Sequence, residues 1–191
     1  NEGVSRRLAI EEQMHGAVER GEFEIHYQPQ IDIATGLVIG SEALLRWRNP
    51  ALGTIPPTEF ISIAEQTGSI LVLGSYVLRQ AISANSRWRQ ANGRDLRISV
   101  NLSPRQFRDN TLVPTINDLL EAHDLPGGCL ELEITEGMLM TGAQAIDETL
   151  VRLNDQGVRI AMDDFGTGYS SMSNLRRYPF DALKIDKSFV E

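Results

Sequence analysis

The chain has 191 residues, of which 41% are hydrophobic and 23% are charged, the balance of an ordinary globular protein. Eighteen basic against 26 acidic side chains give a net charge of −8, which argues against a broad electrostatic surface for DNA or RNA. No apolar run approaches the roughly 20 residues of a membrane span, and the sequence NEGVSRRLAIEEQ at the start lacks the apolar core of a signal peptide. Cys129 is the only cysteine, which excludes an internal disulfide framework and favours a reducing cytoplasm.

The first half of the chain predicts a helix, a hairpin and two more helices. The first helical pattern runs from Ser5 to Arg20 and ends at Gly21, which is typical of a helix terminus. Strand patterns at 23–31 and 38–47 follow, and Ala34-Thr35-Gly36 between them indicates a hairpin turn. The helical patterns after the hairpin lie at 59–66 and 69–91.

The second half alternates strand and helix patterns. The strand patterns lie at 96–103, 130–136, 159–165 and 182–189. The helical patterns lie at 112–123 and from a capping box at Thr141–Gln144 to Gln156. This rhythm is typical of βα units around a parallel sheet, so we expect an α/β fold. Because no linker interrupts the chain, we expect one domain over 21–191, preceded by an N-terminal helix or linker over 1–20.

Polar residues occur late in several otherwise apolar strand patterns. They are Glu42, Asn101, Glu133, Asp163, Asp164 and Lys184. The carboxyl ends of parallel strands meet at one rim, where barrel enzymes build their active sites. Buried carboxylates are costly unless they are paired or bind a metal, and hard oxygen donors suit Mg²⁺, Mn²⁺ or Ca²⁺. The histidines at 15, 26 and 123 are too scattered to indicate a zinc site.

The adjacent acids Asp163 and Asp164 could serve two metal ions, an arrangement that suits cleavage of a phosphodiester. Lys184 could then hold a phosphate oxygen or steer the attacking water. Each residue also has an ordinary interpretation: a strand-end acid can cap a loop, Asn101 can initiate a turn, and Lys184 can form a salt bridge. Their recurrence on successive strands favours the site.

Two further motifs leave alternatives open. Residues 166–171 follow a strand but lack the third glycine of a dinucleotide fingerprint and the lysine of a P-loop, which indicates a loop that organises the site. In Arg46-Trp47-Arg48, an arginine could hold a phosphate while Trp47 stacks on a base, or the three residues could form a partly buried cluster at the rim.

Six motifs in order resemble those of the EAL domain family, bacterial phosphodiesterases that open cyclic di-GMP to linear pGpG. They are Tyr27-Gln28-Pro29, Ser41-Glu42-Ala43-Leu44-Leu45-Arg46-Trp47, Asn101-Leu102-Ser103, Glu133-Ile134-Thr135-Glu136, Asp163-Asp164-Phe165-Gly166-Thr167-Gly168 and Lys184-Ile185-Asp186. The resemblance implies a modified TIM (β/α)₈ barrel with an antiparallel first strand. Such a barrel has about 250 residues, so we expect that the C-terminal strands are missing from this chain.

The resemblance also implies the roles of individual residues. Two Mg²⁺ or Mn²⁺ ions per active site would be held by Glu42, Asn101, Glu133, Asp163 and Asp164. The expected catalytic residues are Lys184, Glu42, Asp163 and Asp164, acting with in-line attack of a metal-activated water. Substrate binding is expected from Gln28, Leu45, Arg46, Asn101 and Asp164. Organisation of the loop after the sixth strand is expected from Glu136, Phe165, Gly166, Thr167, Gly168 and Ser170.

We therefore predict a cyclic di-GMP phosphodiesterase, provided that the parent protein carries the missing C-terminal residues. We expect a cytoplasmic domain whose parent protein could be anchored in a membrane. The resemblance further implies a homodimer and a flanking sensory or GGDEF-type domain. Two alternatives remain open: a catalytically inactive cyclic di-GMP receptor, and a barrel enzyme that uses one Mg²⁺ to stabilise an enolate.

Overall fold

A computed structural model describes residues 2–139, 143–166, 178 and 180–189. The strands are β1 (Phe23–Ile31), β2 (Val38–Asn49), β3 (Gly53–Ile55), β4 (Arg97–Asn101), β5 (Leu130–Thr135), β6 (Arg159–Phe165) and β7 (Ala182–Ile185). The α-helices are α1 (Glu2–Met14), α2 (Pro57–Thr67), α3 (Ile70–Asn92), α4 (Pro104–Phe107), α5 (Leu112–Ala122), α6 (Glu136–Leu139) and α7 (Ala143–Asp155). Short 3₁₀ turns lie at Gly127–Cys129 and Lys187–Phe189.

All seven strands belong to one sheet in the order β1-β2-β4-β5-β6-β7, with the short β3 paired to β2. The β1 and β2 strands are antiparallel, whereas β2, β4, β5, β6 and β7 are parallel neighbours. The predicted α/β class and the antiparallel first strand are confirmed. Within the described ranges, β1 and β7 form the two ends of this order. No helix in those ranges has both the length and the hydrophobicity needed to cross a membrane.

The hairpin between β1 and β2 forms where the sequence predicts it. The carboxylate of Asp32 accepts hydrogen bonds from Thr35 N at 2.8 Å and from Thr35 Oγ1 at 2.7 Å, which closes the turn. The antiparallel register that follows places Gln28 opposite Glu42 and Phe23 opposite Trp47. This register positions the first strand against the strand that carries the first candidate site residue.

The main core lies between the parallel strands and the helices outside them. Side chains alternate across a strand, so every second residue faces the helices. The helix-facing residues of the central strands are Ile98, Val100, Leu130, Leu132, Ile160 and Met162, and all are buried. The intervening residues face the interior of the strand array, and except for Ala161 they are polar. The fold thus carries an apolar layer on one face of the sheet and a polar one on the other.

A second core joins the start of β1 and the end of β2 to α1 and α2. Trp47 is fully buried there, stacked on Phe23 at 5.2 Å between ring centroids and edge-on to Phe60 at 5.7 Å. Its indole N–H donates to Glu22 Oε2 at 3.0 Å. The interpretation of Trp47 as a base-stacking residue is therefore wrong, because no face of the indole is accessible to a ligand.

Three features differ from the sequence-based expectation. The first helix ends at Met14, and turns replace its last residues up to Arg20. The strand expected at 182–189 ends at Ile185, because Asp186 accepts a hydrogen bond from Ser188 N at 2.9 Å and starts a 3₁₀ turn. The short elements β3, α4 and α6 were not expected at all. The Thr141-Gly142 start of the predicted capping box lies outside the described residues.

Candidate functional site

Strand register brings most of the polar strand-end residues to one rim. Asn101 is the neighbour of Glu133 across the β4–β5 pair, and Thr135 is the neighbour of Asp163 across β5–β6. Because side chains alternate, Asn101 and Glu133 face the interior while Val100 and Leu132 face the helices. The predicted convergence of these strand ends is therefore present in the fold.

Lys184 on β7 joins the acidic side chains at this rim. Its Nζ lies 2.6 Å from Glu133 Oε2, 3.0 Å from Glu42 Oε2 and 3.8 Å from Asp163 Oδ2. Asn101 Nδ2 donates to Glu42 Oε1 at 2.8 Å. We call these five residues the rim cluster. Carboxylates outnumber the ammonium three to one in it, so the rim cluster retains an excess of negative charge.

Burial makes the rim cluster electrostatically costly. Glu133 is only 1% exposed, and this burial raises its pKa to about 7, although the hydrogen bond from Lys184 opposes the rise. The nearby Glu42 and Asp163 carboxylates add repulsion. Burial would lower the pKa of Lys184, but its hydrogen bonds to Glu133 and Glu42 outweigh that and raise the pKa above its ordinary value. In these contacts Lys184 is a charged hydrogen-bond donor.

The chemistry of the rim cluster fits a hard divalent cation. The Glu133 Oε1 atom is buried and has no hydrogen-bond partner among the described residues. A buried carboxylate oxygen without a donor costs free energy that a bound cation would recover. Among the residues that the structure describes, no three carboxylate, imidazole or thiol groups are close enough together to form a preformed metal site. Lys184 Nζ lies between Glu42, Glu133 and Asp163, the carboxylates that such a metal site would need.

Asp164 departs from the regular strand. Its φ of 54° lies in the left-handed region, which is uncommon for a residue other than glycine and costs of order 1–3 kcal/mol. Its N–H donates to Asp163 Oδ1 at 2.9 Å, and the pairing with β7 shifts between Met162 and Phe165. Partial burial, together with the charge of Asp163, raises the pKa of Asp164. The two adjacent acids therefore lie at a local irregularity in the pairing of β6 with β7.

A cavity of about 560 Å³ opens beside the rim cluster. Leu45, Arg46, Asn101 and Thr135 line it, and its remaining wall is largely apolar. This size and lining are typical of a small-molecule site. Gln28 is exposed on β1 opposite Glu42, but it is not among the lining residues. Of the five expected substrate-binding residues, the structure thus brings Leu45, Arg46 and Asn101 to one cavity.

The contacts of Asn101 and of the residues after it show whether its side chain initiates a turn or belongs to the candidate site. The turn after β4 is held by a capping box in which Gln106 N donates to Ser103 Oγ at 3.2 Å and Ser103 N donates to Gln106 Oε1 at 3.1 Å. Because Ser103 supplies this cap, the Asn101 side chain is left to contact Glu42. The Asn101 side chain therefore contacts the rim cluster and takes no part in this capping box.

Half of the expected loop-organising residues are described. Glu136 is buried at the first position of α6, and Phe165 packs against the main core. Gly166 has φ 99°, a conformation that favours glycine, and a Cβ there would also lie 2.9 Å from the exposed Phe189 ring, which would have to shift. Thr167, Gly168 and Ser170 lie outside the described residues.

Sequence reasoning missed two parts of the site. The apolar wall of the cavity comes from α2 and α3, including Ile61 and Leu73, whose helical spacing gives no sign that they face a cavity. Thr135 was also missed, although it lies two residues after Glu133 and therefore on the same face of β5. That period-two signal could have identified Thr135.

Comparisons with known proteins show what the chain is similar to. The family model described as EAL domain matches residues 11–191. The chain is 41% identical over 168 residues to "Cyclic di-GMP phosphodiesterase PA2567" of Pseudomonas aeruginosa, covering 88% of this chain and 28% of that protein. It is 40% identical over 190 residues to the bifunctional diguanylate cyclase/cyclic di-GMP phosphodiesterase MucR of the same organism, covering 100% of this chain and 28% of that protein.

The fold also matches a solved structure, "PaMucR Phosphodiesterase, c-di-GMP complex", with a TM-score of 0.90 and 41% identity. The match covers 95% of this chain and 74% of that one, and it confirms the expected modified TIM barrel. The chain spans about a quarter of the length of the curated relatives it matches.

Proposed function

Because the chain belongs to the EAL domain family, we propose that it hydrolyses cyclic di-GMP to linear pGpG. The observation that carries this proposal is the rim cluster beside the cavity, where three carboxylates, an amide and a charged lysine converge. Relatives named as cyclic di-GMP phosphodiesterases and a related structure in complex with c-di-GMP support the choice of substrate.

The proposed cation ligands are Glu42, Asn101, Glu133, Asp163 and Asp164. When bound there, Mg²⁺ or Mn²⁺ would lower the pKa of a water for in-line attack and offset the charge of the phosphodiester. Lys184 would donate a hydrogen bond to a non-bridging phosphate oxygen, a role that suits an ammonium group at this rim. Displacing Lys184 from its carboxylates is part of loading the site, since Nζ lies between them.

The remaining roles concern the substrate and the loop after β6. Arg46 and Leu45 line the cavity, so we assign Arg46 to a phosphate and Leu45 to a base. Gln28, Asn101 and Asp164 complete the proposed substrate contacts. The proposed loop-organising residues are Glu136, Phe165, Gly166, Thr167, Gly168 and Ser170.

The test is hydrolysis of cyclic di-GMP by the full-length protein with Mg²⁺, with the product identified by chromatography. We expect pGpG from the wild type and none from Glu42→Ala. The matched control is Glu121→Ala, which removes an exposed carboxylate on α5 and should leave the rate unchanged. Hydrolysis by Glu42→Ala at the wild-type rate would contradict the proposal.

A receptor that binds cyclic di-GMP without cutting it is the second candidate. The contacts of Lys184 favour it, because the ammonium already satisfies carboxylates that a cation would need. Calorimetric titration of the wild type separates the two functions: tight binding with intact nucleotide recovered afterwards identifies the receptor, and recovery of pGpG identifies the enzyme.

We also propose the wider context that the resemblance implies. The EAL-type domain would span 21–191, with residues 1–20 connecting it to a sensory or GGDEF-type domain. The working form would be a homodimer in the cytoplasm. Light scattering of the full-length protein tests the dimer, with a monomeric mass as the contrary result.

A further inference from the structure

A second polar cluster lies inside the strand array, below the rim cluster. We call it the floor cluster; its members are Gln30, Arg97, Ser99, Glu131 and Arg159. Barrels of this architecture ordinarily fill their interior with layers of branched apolar side chains. A buried ion pair is weak evidence for stability, because its desolvation penalty can match its Coulomb gain. The floor cluster therefore needs an explanation other than stability.

Glu131 is the centre of the floor cluster. Its side chain is only 2% exposed. Its Oε1 accepts a hydrogen bond from Ser99 Oγ at 2.9 Å, and its Oε2 lies 3.3 Å from Arg159 Nε and 3.5 Å from Arg97 Nε. Both carboxylate oxygens thus have partners, which come from the strands on either side of β5.

The floor cluster extends across most of the sheet. Gln30 on β1 donates to Ser99 Oγ at 3.3 Å and accepts from Arg97 Nη2 at 3.4 Å. On the other side, Arg159 Nη1 lies 3.7 Å from Asp181, the residue just before β7. On β2, a Cβ at Gly40 would lie 2.6 Å from the Arg97 carbonyl, so only glycine fits beside the floor cluster. The floor cluster therefore joins β1, β4, β5 and β6, and it reaches the residue before β7.

Three of the strands that contribute to the floor cluster, β4, β5 and β6, each carry a rim residue nearer their carboxyl end. Ser99 precedes Asn101 by two residues, and Glu131 precedes Glu133 by two. Residues two apart share a face and are separated by about 6.6 Å along the strand. A strand that slips by one residue turns its whole inward set to the other face. The floor cluster therefore fixes the alignment on which the rim cluster depends.

We propose that Glu131 is a positioning residue, which through the floor cluster holds the carboxyl ends of β4, β5 and β6 in the arrangement that a divalent cation needs. This inference rests on the cation binding in the proposed function. Removing a partner that orients a metal ligand ordinarily weakens metal binding by about ten- to hundredfold. Glu131 contacts no candidate ligand, so its effect would pass through the strands.

The experiment measures binding of Mn²⁺ alone to the full-length protein, with free Mn²⁺ followed by electron paramagnetic resonance and no nucleotide present. We expect Glu131→Gln to raise the Mn²⁺ dissociation constant about fivefold, below the ten- to hundredfold cost of losing a direct partner of a ligand, because Glu131 acts only through the strands. The matched control is Glu22→Gln, since Glu22 is a buried carboxylate with three donors in the second core. It should lower the melting temperature similarly but leave the dissociation constant within about twofold.

Two results would overturn the inference. One is a dissociation constant for Glu131→Gln that equals the wild-type value, and the other is an equal rise in Glu22→Gln. If Glu131→Gln does not fold, Ser99→Ala gives the answer, because it removes only one hydroxyl from the floor cluster. It should raise the constant severalfold, and an unchanged value overturns the inference. A wild type without Mn²⁺ affinity would overturn the proposed cation site as well, which distinguishes the two failures.

Discussion

Two buried carboxylates, Glu22 in the second core and Glu133 in the rim cluster, lie in environments that differ in the number of hydrogen-bond donors. Glu22 accepts hydrogen bonds from Arg20 at 2.5 Å, from Trp47 at 3.0 Å and from Asn49 at 2.9 Å. Burial favours its neutral form, but these donors outweigh burial and lower the pKa of Glu22. For Glu133, burial dominates and raises the pKa to about 7.

The difference shows how the same side chain serves stability in one region and ligand binding in the other. Every oxygen of Glu22 has a donor, so the second core gains from its charge. The Oε1 atom of Glu133 has no donor among the described residues, and only Lys184 offsets its charge. A carboxylate kept in that state lowers stability, and proteins retain such groups where function requires them.

The largest expected effect comes from Glu133→Gln. Replacing the buried carboxylate by an amide removes a cation ligand, so hydrolysis of cyclic di-GMP should fall by at least about a hundredfold, the upper range of what even outer-shell changes cost. The melting temperature should stay equal or rise, because the amide removes repulsion from Glu42 and Asp163. Rate assays and calorimetry check both parts; a large loss of stability together with full activity would reverse the contrast with Glu22.

Glu22→Ala should give the opposite pattern. It leaves the fully buried Trp47 N–H without an acceptor, which costs about 1–3 kcal/mol in the free energy of unfolding. The rate of hydrolysis under conditions where the protein is folded should be unchanged, because Glu22 touches none of the rim cluster. Urea denaturation and the rate assay test this, with Glu121→Ala as the exposed control. A tenfold loss of rate would mean that the two regions are coupled.

The stability that Glu22 supplies should depend on pH in a defined direction. A lowered pKa in the folded state means that the contribution is complete above the ordinary value of 4.5 and is lost as the pH falls through the lowered one. The difference in melting temperature between the wild type and Glu22→Gln should therefore be constant near pH 6–7 and shrink below about pH 4. A difference that grows on acidification would show that the donors do not stabilise the ionised form.

The rim cluster was predictable from sequence because a simple rule places it. Parallel strands put their carboxyl ends on one rim, so polar residues late in successive strand patterns had to converge. The antiparallel first strand followed from the turn at 34–36 for the same local reason. These features depend on spacing within short segments, which a sequence shows directly.

The parts that sequence did not predict depend on contacts between distant segments. Trp47 is buried only because Phe60 and Phe23 pack on it, and nothing beside Trp47 in the chain shows this. The β3 strand has three residues and exists through its pairing with the end of β2. Glu131 was not predicted as a buried residue, because an acid early in a strand pattern is typical of a surface charge. Only the fold shows that Arg97 and Arg159 lie beside it.

The smallest expected effect concerns the backbone that follows the rim acids. Gly166→Ala puts a side chain at φ 99° and within 2.9 Å of the Phe189 ring, so it should cost at least about 1 kcal/mol in stability. Since Phe165 and Gly166 adjoin Asp164, the same change should also weaken Mn²⁺ binding, whereas a comparable loss in the second core should not. Thermal melts and the Mn²⁺ titration measure both quantities. Retained Mn²⁺ affinity in a destabilised Gly166→Ala would show that the rim cluster tolerates backbone strain beside it.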